Sequence, residues 1–208
     1  MTDTAPRKYT LGFTGASLRP ELARIIAEDY LLTNDWAETR RRVLENNSLQ
    51  ARTRKSASRL EGELRQRLET LTGPQIELLA RGNADDAAAL SWLATCKYVP
   101  YLFEFAAEVL RDKLAGHDPA LRLSDYETYA EHKALLHPEL IRLKEGSRQK
   151  LREVLLRMLR QSGLLVRGSG LGTIQRPVLS PAVTTAIASD NPRWLTCFLV
   201  PDSEIEGL

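Results

Sequence analysis

The residues with the clearest chemical potential are arginines and lysines that concentrate in two windows. Between Arg40 and Leu60 there are seven basic residues and one acid, and between Arg142 and Arg176 there are nine basic residues and two acids. The windows carry +6 and +7, so the rest of the chain carries −11 within a net charge of +2. Clustered basic charge on an otherwise acidic chain is typical of proteins that bind a polyanion. Two solvated helix faces would give the same pattern, so the surrounding elements must decide.

Other reactive residue types do not fall in the spacings that catalysis or metal binding requires. The three histidines, His117, His132 and His137, are not spaced with carboxylates or cysteines as metal ligands would be. The glycine-rich stretch 168–172 is not followed by the Gly-Lys-Ser/Thr of a phosphate-binding loop. Two cysteines are too few for a disulfide framework or a four-cysteine zinc site. The sequence therefore predicts no enzyme, no metal site and no cofactor.

Helix signals surround the first basic window. Pro20 suits the first turn of a helix that should end near Thr33, and Asn34 or Asp35 would cap a second helix. A third helix should start near Thr53, because its apolar residues step by three and four. Two short helices, a polar turn and a longer helix give the order of a helix-turn-helix unit, whose last helix enters the DNA major groove. Its candidate DNA-binding residues are Arg52, Arg54, Lys55, Ser58 and Arg59.

The second basic window lies in a different pattern. A helix from Ser124, a short helix at 139–143, a turn at 145–147 and a long helix precede two short strands at 164–167 and 173–175. Three helices followed by a glycine-containing hairpin give the order of a winged helix, in which the hairpin is the wing. A winged fold that serves protein contacts would look the same. The candidate DNA-binding residues here are Arg148, Gln149, Lys150, Arg152, Arg167 and Arg176.

The whole chain reads as a mainly α protein with one small β-hairpin. Its 208 residues are 43% apolar, which is enough for a core without disulfides. The apolar stretch 101–114 should lie in the interior, and 194–200 (WLTCFLV) should form a buried strand. We expect a helix-turn-helix-like unit over residues 1–82. Residues 83–208 should hold a helical middle and a winged-helix-like unit.

The sequence also gives an expectation for where in the cell the protein is found. It contains no run of 18 or more uncharged apolar residues, and its first residues include no apolar signal core. A cytoplasmic protein with no membrane partner is the resulting expectation. Nothing in the sequence indicates a small-molecule substrate.

Three stretches resemble one known family. They are YTLGFTGASLRPE (Tyr9–Glu21), LLTNDWAETRRRVLENNSLQARTRKSASRL (Leu31–Leu60) and LLRMLRQSGLL (Leu155–Leu165). These stretches are similar to the BrxA family, small accessory proteins of BREX phage-defence systems. The resemblance spans most of the chain. It implies a mostly helical, cytoplasmic protein that binds double-stranded DNA, and it brings no catalytic motif.

The leading expectation is therefore non-catalytic binding of double-stranded DNA within a BREX defence complex, with other BREX proteins as further partners. One alternative is a helical scaffold or adaptor that docks other defence proteins. Its docking surface would be the acidic, aromatic middle of the chain, which contains Trp92, Tyr98, Tyr101, Phe103 and Phe105. A second alternative is an RNA-binding helical protein, although the sequence suggests no exposed strand aromatics for stacking bases.

Overall fold

The computed structural model describes residues 8–207, and helices dominate that part of the chain. The first half contains α1 (Pro20–Thr33), α2 (Trp36–Glu45), α3 (Arg54–Leu68), α4 (Gly73–Arg81) and α5 (Ala84–Tyr98). A continuous helical stretch follows in the middle of the chain, and it consists of α6 (Pro100–Phe105), a π-helical turn (Ala106–Leu110) and α7 (Arg111–Ala115). The second half contains α8 (Leu123–Leu136), α9 (Pro138–Ile141), α10 (Glu145–Gln161), α11 (Pro181–Ala188) and α12 (Asp202–Ile205). Its strands are β1 (Ala120–Leu121), β2 (Leu165–Val166) and β3 (Gly172–Ile174). The prediction of a mainly α protein with a small hairpin is confirmed.

Side-chain caps set the starts of several helices where the sequence predicts them. The Asp35 carboxylate accepts the backbone N–H of Glu38 at 2.8 Å, which starts α2. The Thr53 hydroxyl accepts the N–H of Ser56 at 3.1 Å at the start of α3. Each cap satisfies a backbone donor that has no partner within the helix. These local bonds fix the residues at which α2 and α3 begin.

The strands form one antiparallel sheet in the order β1-β3-β2. The connection between β2 and β3 is a tight glycine loop, in which Gly170 adopts a φ of +63°. A Cβ at Gly170 would lie 2.5 Å from the carbonyl oxygen of Leu121, so the loop needs glycine there. Next to it, the Leu171 N–H donates to that same carbonyl at 2.7 Å. The predicted hairpin is thus present, and β1 adds a third strand that is too short for a periodic sequence signal.

The core is one continuous cluster of buried apolar side chains that extends from Tyr9 to Val200. Trp92 of α5 is fully buried, and its indole N–H donates to the carbonyl of Cys197 at 2.9 Å. The stretch 101–114 supplies several fully buried residues, as its composition predicts. Helix α5, which follows the predicted division at residues 82 and 83, packs against α1, α3 and α4. The two-unit division itself stays a prediction.

Two local predictions are wrong. Residues 194–200 do not form a strand, because Pro192–Phe198 is a 3-10 helix that starts where the Asn191 side chain accepts the N–H of Arg193 at 3.0 Å. This compact turn buries the apolar side chains that suggested a strand.

Residues 145–147 are not a turn but the first turn of α10. Glu145 is favourable at that positive helix end, and the glycine and serine occupy positions whose N–H groups need no helical partner.

The segment Tyr9–Leu18 buries Tyr9, Phe13 and Ala16–Leu18 and packs between the two halves of the chain. At one end, the Leu18 N–H donates to the Gln161 side chain of α10 at 3.0 Å. At the other end, the Tyr9 N–H donates to Glu139 of α9 at 2.6 Å, and the Tyr9 ring stacks on His137 at a centroid distance of 3.6 Å. The segment therefore joins the N-terminal helices to α9 and α10.

Arg67 of α3 holds the middle of this segment. Its buried guanidinium donates to the carbonyls of Ser17 and Ala16 at 2.9 Å and to that of Phe13 at 3.3 Å. Burial lowers the pKa of Arg67 to about 10, so the group still carries its charge at neutral pH. The three carbonyls would otherwise be buried acceptors with a large desolvation cost.

Candidate nucleic-acid interface

The start of α3 presents basic side chains to solvent. Arg52, Arg54 and Lys55 are all exposed, and within residues 8–207 none of them forms an ion pair. They lie at the N-terminal end of a helix, where the helix dipole adds positive potential. This is a surface that can contact phosphate oxygens without first breaking an internal bond.

A buried carboxylate positions this end of α3 against α2. Glu61 is fully buried and lies 2.9 Å from the Arg65 guanidinium and 3.5 Å from that of Arg40 in α2. Burial raises the pKa of Glu61, while the two arginines oppose that shift. Arg40 also donates to the Ser58 hydroxyl at 3.0 Å. Ser58, a candidate DNA-binding residue, is therefore engaged in the α2–α3 contact.

Arg59 is also partly engaged. Its side chain is exposed, and its Nε donates to the Glu63 carboxylate at 3.0 Å, one turn further along α3. An exposed pair of this kind contributes little to stability, so the guanidinium can exchange Glu63 for a phosphate at a small cost. The structure thus brings all five candidates of the first window to one end of α3, with three of them unpaired.

The candidates on α10 divide between two sides of the helix. Arg148 donates to the Ile141 carbonyl at 3.0 Å, and Arg152 lies half-buried with its guanidinium 4.0 Å from Glu127 of α8. These two face α8. Lys150 is exposed and 4.0 Å from Glu153, which also accepts a bond from Gln149 at 3.2 Å.

The outward side of α10 includes a basic residue absent from the sequence-based candidates. Arg157 is exposed and lies seven residues, about two turns, after Lys150 on the same side of the helix. Within residues 8–207 Arg157 forms no ion pair. The spacing to Lys150 was the signal that could have identified it. Arg160, further along, donates to the Leu171 carbonyl at 3.0 Å and so ties α10 to the hairpin loop.

The two arginines beside the hairpin differ in their surroundings. Arg167 follows β2 and is exposed. Arg176 forms a two-pronged pair with Glu204 of α12, with N···O distances of 2.7 and 2.6 Å. This pairing raises the pKa of Arg176 and lowers the pKa of Glu204. Arg167 is therefore open to a ligand, whereas Arg176 already has an anionic partner.

The aromatic middle is not available as a docking surface. Trp92, Tyr101 and Phe105 are fully buried, and Phe103 is nearly so. Tyr98 is half-buried, and its hydroxyl donates to Gln66 at 2.9 Å. The expectation that these aromatics would dock a partner protein is wrong, because they build the core instead.

The fold and these surfaces define a class: a mainly helical protein with basic, solvent-facing residues at one end of α3 and along α10. A family model described as BrxA matches residues 7–191, and the chain belongs to this family of BREX proteins. A protein of Escherichia coli O9:H4 (strain HS) named BREX protein BrxA is 27% identical over 149 residues, which is 72% of this chain and 70% of that protein. A Bacillus cereus (strain H3081.97) protein of the same name is 23% identical over 143 residues, 69% and 72% of the two chains.

A solved structure has the same fold. The crystal structure of an uncharacterized protein from Magnetospirillum magneticum superposes with a TM-score of 0.79 at 24% identity, covering 92% of this chain and 98% of that one. In the described part of our chain, no helix has both the length and the apolarity that crossing a bilayer requires.

Proposed function

We propose that this chain is a non-catalytic, cytoplasmic protein that binds double-stranded DNA within a BREX phage-defence system. The observation that carries the proposal is a group of exposed basic side chains on two surfaces that have no ion-pair partner among residues 8–207. On these surfaces they include Arg52, Arg54 and Lys55 at the start of α3, Arg157 on α10 and Arg167 beside the hairpin. Positive side chains that face water can release condensed counterions from a duplex, and this release supplies most non-specific affinity.

The order of elements supports a winged-helix interpretation of the second half. Strand β1 is followed by α8, α9 and α10, and then by the β2–β3 hairpin, with β3 between the other two strands. In such a unit the last helix and the hairpin can both reach DNA. Lys150 and Arg157 on α10 and Arg167 on the hairpin would contact phosphates, while Gln149 and Arg148 lie nearer to the α8 side.

Helices α1 to α3 support a helix-turn-helix interpretation of the first half. The last helix of the three carries its unpaired basic residues, Arg52, Arg54 and Lys55, in and just before its first turn. That is the part of a recognition helix that approaches the groove. Since arginine and lysine dominate both surfaces, we expect phosphate contacts to exceed base contacts and sequence preference to be small.

Fluorescence anisotropy with a labelled duplex, titrated at several salt concentrations, tests the proposal. Affinity should fall steeply with salt, with a log–log slope of about −0.9 per phosphate neutralised. Single-stranded DNA and duplex RNA of the same sequence serve as competitors. Binding that stays constant between roughly 50 and 200 mM salt contradicts the electrostatic model. A preference for RNA would favour the RNA-binding alternative.

A further inference from the structure

A groove between α8 and α10 combines an apolar floor with charged walls. Its volume is about 260 Å³, and buried Tyr126, Leu140 and Leu151 form the floor. Pockets for drug-sized ligands start at about 300 Å³, so this groove suits one or two inserted side chains rather than a small-molecule ligand.

One lining residue of this groove is apolar and exposed. Ile141 of α9 lines the groove and is 59% exposed. It follows the end of α8, where Leu135 and Leu136 are 81% and 62% exposed. An exposed apolar side chain at the edge of an apolar groove is a feature of interaction surfaces.

The two walls of the groove carry opposite net charge. Glu127 and Glu131 line the α8 wall, and Arg148 and Arg152 line the α10 wall together with one acid, Glu145. The two glutamates of α8 are four residues apart, as are the two arginines of α10, which places each pair on one face of its helix. Within residues 8–207 neither Glu131 nor Arg148 forms an ion pair, so each wall offers a charged group to an incoming ligand.

We propose that this groove docks an amphipathic helix of another protein. The helix inserts a large apolar side chain into the groove, sets basic side chains against the α8 wall and sets acidic side chains against the α10 wall. A helix lying in an apolar groove is a recurring recognition mode, anchored by residues three or four apart.

The charge of the walls and the shape of the groove indicate which kind of molecule binds there: a nucleic acid, a second copy of the chain or a helix of another protein. An acidic wall repels the phosphates of a nucleic acid. In a symmetric pair that uses the groove of both copies, two concave floors face each other and stay unfilled. A partner helix is convex and can match both walls at once. This proposal does not depend on DNA binding, because Lys150 and Arg157 lie outside the groove.

Site-specific photo-crosslinking within the chain's own BREX system tests the proposal. The full chain is expressed with the other proteins of that system and carries p-benzoylphenylalanine at Ile141 or Gln149, two exposed residues that line the groove. Matched control positions are Leu32 and Val178, which are 77% and 94% exposed but lie away from the groove. We expect one protein to crosslink from the groove positions and not from the controls. Mass spectrometry should place the crosslink in a segment with an apolar residue flanked by basic and acidic residues at helical spacing.

The crosslinked segment, made as a peptide, then gives a quantitative test. Its affinity should fall at least tenfold for Ala134→Trp, which fills the groove, and for Glu131→Arg, which reverses one wall. Reversing the peptide's basic residues to acids should restore binding to Glu131→Arg. The control Val178→Asp should bind like the wild type, and circular dichroism verifies that each variant is folded.

Several results overturn the proposal. Equal crosslinking from groove and control positions, or none from the groove, shows that no partner docks there. A crosslink to a second copy of the chain or to nucleic acid names a different occupant. If the crosslinked segment has no charged flanks, the charged walls do not select the partner. The same conclusion follows if the segment binds Glu131→Arg as tightly as the wild type.

Discussion

Arg67 is a basic residue that stabilises the interior of the protein and does not face solvent. It looks from the sequence like one more positive charge on α3, yet its side chain is buried against the carbonyls of Phe13, Ala16 and Ser17. The stretch YTLGFTGASL, which is part of the resemblance to the BrxA family, is thus the segment whose carbonyls accept hydrogen bonds from Arg67. A charge count cannot separate this residue from the exposed arginines, because the distinction depends on a contact across about fifty positions.

Replacing Arg67 with alanine should lower the free energy of unfolding by about 3 kcal/mol or more, since it leaves buried carbonyls without donors. Arg67→Lys should recover only part of the loss, because a single ammonium cannot match the planar guanidinium fork. Urea denaturation measures both values. Arg59→Ala is the matched control on the same helix, and we expect it to change stability by less than about 0.5 kcal/mol. Equal effects at the two positions would contradict the structural role of Arg67.

Arg176 gives a second prediction. Glu204 occupies its guanidinium in the free protein, so Glu204→Gln should release Arg176 for one additional phosphate. Duplex affinity should rise, and the log–log salt slope should steepen by about 0.9. Glu206→Gln removes the same charge from the same segment without altering this pair and serves as control. An increase of the same size in both variants would mean that only net charge matters.

Among the elements, α3 and α10 make separable contributions to the proposed DNA interface. Arg54→Ala with Lys55→Ala removes two unpaired charges from the start of α3 and should flatten the salt slope by up to about two phosphates. Melting temperature should hardly change, because both side chains are exposed. Anisotropy titrations at four salt concentrations measure the slope. An unchanged slope would exclude α3 from the interface.

On α10 the structure allows a sharper comparison. Lys150→Ala with Arg157→Ala removes the outward charges, whereas Arg148→Ala with Arg152→Ala removes charges that face α8. We expect the outward pair to lose more DNA affinity than the inner pair. The inner pair should instead weaken binding of a partner helix to the groove. The reverse order would show that DNA approaches α10 from the α8 side.

Sequence patterns predict elements well where the signal is local. Asp35 and Thr53 cap their helices within three residues, so the starts of α2 and α3 could be read directly. The stretch 194–200 shows the limit, because an apolar run is equally suited to a strand and to a buried 3-10 turn. Only the lack of a neighbouring strand, which is a tertiary fact, decides between them. The side of α10 that each arginine occupies depends in the same way on where α8 packs.

The two halves of the chain depend on each other through the segment Tyr9–Leu18. A fragment of residues 1–82 retains Arg67 but lacks Glu139 and Gln161, which accept the Tyr9 and Leu18 N–H groups in the full chain. It also lacks α5, which packs against α1, α3 and α4. We expect the fragment to melt at a much lower temperature than the full chain. Hydrogen exchange should find the Leu18 amide protected only in the full chain; equal protection would show that the first 82 residues fold as an independent unit.

The same segment constrains how the protein is made. Tyr9 and Leu18 are synthesised 130 and 143 positions before the side chains that accept their backbone N–H groups. At about 5–20 residues per second, the segment waits roughly 7 to 30 s on the ribosome before Gln161 emerges. During that time the hydrogen bonds from Arg67 of α3 to this segment can form, whereas those to Glu139 and Gln161 cannot. A chain that stops before α10 is complete has the segment docked on α3 alone, so its attachment to the second half is the last to form.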